Sequence, residues 1–145
     1  MNVRSILESK GSSEVVTIEP QRTIQEAIES LVEHNIGSLV VVDEEGELAG
    51  IITERDILRV CAGGGDRLAT TRVAEVMTRN LIVGDADDPI DYVMGIMTQN
   101  RVRHLPIVGR RGLRGMVSIG DVVKIQLHET EYENRHLKEY IQRGY

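Results

Sequence analysis

The chain has no phenylalanine and no tryptophan, and four tyrosines make up its whole aromatic complement. Proteins that hold single-stranded nucleic acid by stacking bases on aromatic rings need more platforms than this. Cysteine is nearly missing too. A lone Cys61 excludes an internal disulfide and, by itself, a thiolate metal site, so it reads as a small apolar helix residue in a reducing compartment. Positive charge is in deficit: 17 Lys and Arg against 23 Asp and Glu give a formal net charge of −6, which counts against a nucleic acid or acidic membrane held by bulk electrostatics. No apolar run approaches the roughly 18 residues needed to span a bilayer, and Met1 to Lys10 has no signal-peptide core. Together these features predict a cytoplasmic protein with no membrane partner. Paired catalytic carboxylates, Ser/His/Asp or Cys/His groups, a Walker loop and clustered metal ligands are all missing at motif spacing, so the sequence reads as a non-enzyme without a catalytic cofactor.

What is present is a repeat, the first feature to seek because it decides the fold. Gly50-Ile51-Ile52-Thr53-Glu54-Arg55-Asp56 aligns with Gly115-Met116-Val117-Ser118-Ile119-Gly120-Asp121, since 115 − 50, 118 − 53 and 121 − 56 all give 65. Upstream, Ile36 to Val42 aligns with Val102 to Val108 at an offset of 66 (102 − 36), the extra residue falling in the intervening turn. A unit of about 60 residues is marginal alone, so two copies must share packing.

In the first copy Val15 to Ile18 is β-rich, and Thr23 is positioned to cap a helix from Ile24 to His34 with Ile24, Ala27, Ile28 and Leu31 on one stripe. Leu39 to Val42 and Leu48 to Thr53 flank a turn at Asp43 to Gly46, and a second helix is predicted from Glu54 to about Ala62. The second copy predicts a strand at Leu81 to Val83, a helix from Pro89, as first helical residue, to Asn100, strands at His104 to Val108 and Leu113 to Ser118, and a helix from Ile119 onward. Arg72 to Met77 reads as a linker helix and Val3 to Glu8 as a further helix at the opposite end. The predicted fold class is α+β, with two βαββα units and helical extensions. The boundaries are 1–62 for the N-terminal helix and first repeat, 63–72 for a Gly-rich linker, 73–125 for the second repeat and 126–145 for a C-terminal helical extension.

The duplicated Gly-apolar-apolar-Thr/Ser-x-x-Asp segment carries most of the functional information. Structurally it is a helix start: Thr53 and Ser118 cap, while Asp56 and Asp121 reach back to the cap's amide and complement the helix dipole. The same geometry offers an anion a hydroxyl and free amides, and a carboxylate there can accept from the two hydroxyls of a ribose. Gly50 and Gly115, which a capping box does not require, leave room for a ligand or a facing backbone.

With these motifs, covering roughly residues 13 to 125, the chain resembles a tandem CBS (cystathionine β-synthase type) domain pair. The resemblance implies two repeats packed about a pseudo-two-fold axis (a Bateman-type module), with two clefts between them that commonly bind adenosine nucleotides. It implies that Asp56 and Thr53 serve one cleft, Asp121 and Ser118 the other, with Asp on ribose and Thr or Ser assisting phosphate. Basic residues in Arg101-Val102-Arg103-His104-Leu105-Pro106 would reach the phosphates, with Arg103 and His104 foremost, and a guanidinium's planar donor fork suits that task. Their first-copy counterparts are Gly37 and Ser38 (103 − 66 and 104 − 66), so the clefts are expected to be chemically unequal. Thr17 and Ile18, with Ile82 and Val83 as counterparts, correspond to family positions that sandwich a purine, and Thr78 is expected to face a cleft. Arg110, Arg111 and Arg114 read as exposed charges, and His34 and His128 as solvated helix residues.

The expected function is a regulatory sensor of an adenine nucleotide, AMP first with ADP, ATP or NAD behind it. Ile125, Leu127, Tyr132, Leu137, Tyr140 and Ile141 in the extension suggest either a helix folded back on its own module or, as preferred, a contact in a homodimer or with an unidentified regulated protein. Two alternatives stay open: a ligand-free interaction module, and a pair binding another adenosyl ligand such as S-adenosylmethionine.

Overall fold

A computed structural model of the chain describes residues 1–10, 15–64 and 66–142, with side chains described as far as residue 138. Gly65 of the predicted linker and the side chains of Tyr140 and Ile141 lie outside the described residues. The elements run α1 (Val3–Ser9), β1 (Thr17–Ile18), α2 (Ile24–His34), β2 (Ser38–Val42), β3 (Leu48–Thr53), α3 (Glu54–Ala62), α4 (Val73–Val76), α5 (Ile90–Asn100), β4 (His104–Gly109), β5 (Gly112–Ser118) and α6 (Ile119–Gln142).

The first repeat forms a three-stranded sheet in the order β1-β2-β3. β1 is parallel to β2, and β2 is antiparallel to β3 in a register from Ser38↔Thr53 to Val42↔Leu48. Local chemistry sets the boundaries. The Thr23 hydroxyl accepts from the Glu26 amide and the Glu26 carboxylate accepts from the Thr23 amide, closing a capping box that starts α2, while Asn35 at φ 52° ends it. In the β2–β3 turn the Asp43 carboxylate accepts from the amides of Glu45 and Glu47, and Gly46 takes the left-handed φ of 80° that closes it.

The second repeat departs from expectation in its first strand. Leu81 to Val83 is not a strand. The parallel pairing shrinks to one bridge, Gly84↔Ile107, in which the Gly84 amide donates to Pro106 O and Gly84 O accepts from the Val108 amide, both at 2.9 Å. The chain turns away at once because the amides of Asp85 and Asp87 are taken by the carboxylates of Asp88 and Asp85. The site also demands glycine: a Cβ on Gly84 would lie 2.9 Å from Leu105 Cδ2 and 3.0 Å from Ile107 Cδ1. Since Ile18 pairs with Val41, the counterpart of Ile18 is Gly84 (84 − 18 and 107 − 41 both give 66), so matching Thr17 and Ile18 to Ile82 and Val83 was one residue short. Pro89 is the N-cap of α5 rather than its first helical residue, with an extended ψ of 147°. No break separates the last repeat helix from the extension, since α6 is one helix of 24 residues, about 36 Å at ~1.5 Å per residue.

The helices that precede the repeats exchange places. α1 docks on the second repeat, where the amides of Val3 and Arg4 donate to Asp88 O and Ala86 O and Met1 O accepts from the Ile90 amide. α4 docks on the first in the same way: Val73 and Ala74 donate to Arg22 O and Pro20 O, and Thr71 O accepts from Ile24. These bonds superpose at an offset of 66 on the repeat side (88 − 22, 86 − 20, 90 − 24) and 70 on the helix side (73 − 3, 74 − 4, 71 − 1). Two cores result. One gathers Ile24, Ala27, Leu39, Val41 and Ile52 with Val73 and Met77, and the other gathers Val93, Met97, Leu105, Ile107 and Val117 with Val3 and Ile6. Cys61 lies on α3 as expected but is exposed, outside both cores.

Candidate functional site

Two clefts open between the repeats, each with a motif from one repeat facing the strand edge of the other. The Thr53 cleft, about 410 Å³, sets Ile51, Thr53 and Asp56 opposite Ile82, Arg103, His104 and Pro106, with Thr78 alongside. The Ser118 cleft, about 460 Å³, sets Gly115, Met116 and Ser118 opposite Val15, Val16 and Ser38. Both volumes suit a small-molecule ligand (roughly 300–1,000 Å³). The clefts correspond under the repeat, because Leu81, Ile82, His104 and Pro106 lie 66 beyond Val15, Val16, Ser38 and Val40.

In the Thr53 cleft the helix-start chemistry divides the Asp56 carboxylate. Its Oδ2 accepts from the Thr53 amide at 3.0 Å and the Thr53 hydroxyl at 3.1 Å, and the hydroxyl in turn accepts from the Asp56 amide at 3.3 Å. The other oxygen, Oδ1, has Arg59 Nη1 at a loose 3.9 Å. Asp56 is 8% exposed, so a second acceptor on a nearly buried anion is left over at the cleft wall, where a donor pair such as a ribose diol would be held by charge-assisted bonds.

The equivalent carboxylate in the second repeat is engaged differently. Asp121 Oδ2 accepts from the Ser118 amide at 2.9 Å and from Lys10 Nζ at 2.9 Å. Burial raises the Asp121 carboxyl, but the Ser118 amide and the Lys10 ammonium outweigh it and hold the group below its ordinary 3.8. Asp121 does not line the Ser118 cleft; Lys10 does.

His104 lines both clefts, as does Gly37. A Cβ on Gly37 would lie 3.2 Å from Glu54 Oε1 and 3.6 Å from His104 Nε2, so glycine lets these side chains converge at the partition. Burial is the main cause that lowers the His104 pKa below 6.5; Arg103 and Lys10 add to it, while Glu54 and Asp121 oppose.

Of the residues read from the sequence, Thr53, Asp56, Thr78, Ile82, Arg103, His104 and Pro106 meet in the Thr53 cleft, and Ser38, Ser118 and again His104 in the Ser118 cleft. Four do not line either, among them Asp121, which Lys10 holds at the edge of the Ser118 cleft. Leu105 is fully buried in the second core because strand alternation turns it away from its neighbours His104 and Pro106. Thr17 is exposed, and Ile18 packs on the first core; Val15 and Val16 occupy the wall instead. Lys10 and Asn80, which no motif singled out, also line the clefts, as do Arg101 of the basic run and Arg114, expected as an exposed charge. Arg101 carried a local signal, since it follows α5 at the αL position (φ 54°) that Asn35 fills in the first repeat. Gly50 and Gly115 admit protein rather than ligand: a Cβ would come 2.7 Å from Thr78 O at Gly50 and 2.6 Å from Leu7 Cδ2 at Gly115.

Two βαββα repeats with paired clefts between them define a tandem-repeat module whose polar groups converge from both halves. The CBS domain model matches residues 3–63 and 73–128, and the chain belongs to the CBS domain family. It is 40% identical over 150 residues to the mitochondrial CBS domain-containing protein CBSX3 of Arabidopsis thaliana, covering 99% of this chain and 73% of that protein. Among solved structures, the CBS-domain containing protein ATU1752 from Agrobacterium tumefaciens is 40% identical with a TM-score of 0.82, covering 87% of this chain and 99% of that one. The CBS domain pair of protein MJ0100, solved in complex with 5-methylthioadenosine and S-adenosyl-L-methionine, is 32% identical with a TM-score of 0.77, covering 89% and 98%.

Proposed function

We propose that this chain is a regulatory module that senses an adenine nucleotide, AMP first and ADP, ATP or NAD behind it, in the Thr53 cleft. One observation carries the reading: Asp56, with an acceptor oxygen to spare, and Arg103, an exposed guanidinium, belong to different repeats and line one cavity. Ribose on Asp56, phosphate on Arg103 and His104, and base against Ile82 and Pro106 account for the mixed polar and apolar wall. A ligand spanning the two repeats favours the arrangement that brings them to its own length, so occupancy becomes a population shift. What the cleft assembles are holding groups for ribose and phosphate, which supports a sensor rather than an enzyme.

Titration of the purified chain with AMP, ATP and NADH by calorimetry tests this. Saturable binding that is weakened by loss of Asp56 is expected, and silence toward every adenosine compound refutes the ligand. A second reading, a sulfur-containing adenosyl ligand without phosphate, is favoured by the ligands of MJ0100. It predicts binding of S-adenosylmethionine that is indifferent to Arg103.

We further read the module as a homodimer in the cytoplasm, where an exposed thiol such as Cys61 stays reduced. α6 contributes Val122 to the second core, yet Leu127, Tyr132 and Leu137 further along it are 58%, 74% and 57% exposed, a surface for a second copy or a regulated partner. Light scattering that returns a monomer mass would remove the dimer. Among the described residues no helix is long and apolar enough to cross a membrane.

A further inference from the structure

We infer that Lys10 makes the two clefts unequal: by holding Asp121 it keeps a ribose out of the Ser118 cleft, so that nucleotide binds once per chain, beside Asp56. The inference rests on the nucleotide reading above and adds which cleft is used and which residue decides it.

The docking bonds of α1 and α4 superpose at an offset of 70, and the packing beyond them agrees, since Leu7 fills the space at Gly115 as Met77 does at Gly50 (77 − 7 gives 70). On that alignment Lys10 occupies the place of Asn80. In the first repeat Ile51 O accepts from the backbone amide of Thr78 at 2.9 Å. The equivalent carbonyl of the second repeat, Met116 O, accepts instead from Lys10 Nζ at 2.9 Å, and the same ammonium reaches Asp121 Oδ2 at 2.9 Å. Asn80 is uncharged and leaves Asp56 at the wall of its cleft. In the other cleft the ammonium, not the carboxylate, is presented.

A carboxylate neutralised by an ammonium has lost most of the charge that would strengthen a bond to a diol. Lys10 is also fixed at its backbone beside the cleft. It closes α1 with its amide on Ile6 O, and α1 is anchored one turn earlier by Leu7 against Gly115. Among the described residues the Ser118 cleft is lined by Lys10, Arg114 and His104 and by no carboxylate, the opposite of what a ribose pocket requires.

Calorimetric titration of the full chain with AMP tests this by stoichiometry. The unmodified chain is expected to bind one AMP and the Lys10→Asn chain, which copies the Asn80 arrangement, two. Lys10→Ala carries the same expectation without placing a new amide beside Asp121. Asp56→Ala should remove the unmodified chain's site and leave the Lys10→Asn chain with one, which Asp121→Ala then removes. Two AMP on the unmodified chain, one AMP on both lysine variants, or binding that survives Asp56→Ala but disappears with Lys10 would each overturn the inference while leaving the nucleotide reading intact. No AMP bound by any of these proteins would overturn both.

Discussion

Replacing Asp56 separates its two duties because they fall on different oxygens. Oδ2 caps α3 through the Thr53 amide and hydroxyl, and its loss should cost about 1–2 kcal/mol from the cap and the helix-dipole contribution together. For a chain of this size that corresponds to a fall in Tm of roughly 2–8 °C. Oδ1, paired only loosely with Arg59, is the oxygen proposed for a ribose, and a hydrogen bond to a charged group contributes about 1.5–3 kcal/mol, or about 10- to 150-fold in affinity. Asp56→Ala should therefore show both losses. Asp56→Asn keeps an oxygen for the Thr53 amide but no charge, so it should retain most of the Tm while still losing affinity for AMP. Calorimetry paired with thermal melting on the two variants is the assay. An unchanged AMP affinity in both variants, with Tm falling in Asp56→Ala, would show the carboxylate to be a helix cap only and refute the reasoning.

Arg103→Ala should cost AMP about 1.5–3 kcal/mol of binding through the lost charged hydrogen bond and leave adenosine unaffected; equal losses for both would show that Arg103 does not hold phosphate. His104 has a folded pKa depressed below 6.5, chiefly by burial, so the folded state binds fewer protons than the unfolded one. Its contribution to stability is complete above about pH 6.5 and is lost as pH falls through the depressed folded value. Urea midpoints at pH 7.5 and 5.5 should differ by less in His104→Ser, which copies the Ser38 arrangement, and an unchanged difference would contradict the assignment. Gly50→Ala should destabilise by about 1–3 kcal/mol, since its Cβ would meet the backbone oxygen of Thr78 at 2.7 Å. Gly115→Ala should cost less because the methyl group of Leu7 can turn away, and denaturant melts that reversed this order would count against the packing described.

The repeat, its helix starts and its hairpins were legible in the sequence because each is local. Capping boxes at Thr23 and Thr53, the Asp43 turn and the periodic stripe of α2 are governed by residues a few positions apart. The exchange of α1 and α4 was not legible, because Val3 and Val73 look alike as short apolar helices and only the tertiary hydrogen bonds to Asp88 O and Arg22 O show which repeat each covers. The weak first strand of the second repeat failed for a related reason: Leu81 to Val83 has strand composition, but the single bridge is carried by Gly84, whose fitness depends on the Leu105 and Ile107 side chains across from it. The inequality of the clefts was read from Arg103 and His104 against Gly37 and Ser38. Its other half, Lys10, sits outside the aligned copies, at an offset of 70 instead of 66, and repeat comparison does not reach it.

That exchange also bears on how occupancy would be transmitted. Each core is completed by a segment that the chain places before the other repeat: Val3 and Ile6 finish the core of β4 and β5, and Val73 and Met77 that of β2 and β3. Neither repeat can shift as a body without carrying the other's helix along. A ligand between Asp56 and Arg103 pulls on both cores at once, and close-packed cores move as units rather than deform. The element that would move is then the angle between the two halves, with His104 and Gly37 lining both clefts between them. The size of any shift is limited by how much better the ligand binds one angle than another: reversing a 1:99 preference requires about 10⁴-fold differential affinity. The ribose and phosphate contacts are worth about 1.5–3 kcal/mol each, so together they supply about 3–6 kcal/mol against the roughly 5.5 kcal/mol that such a reversal demands. Two contacts from opposite repeats are therefore about the minimum for a switch, and loss of either leaves too little differential affinity to reverse the preference.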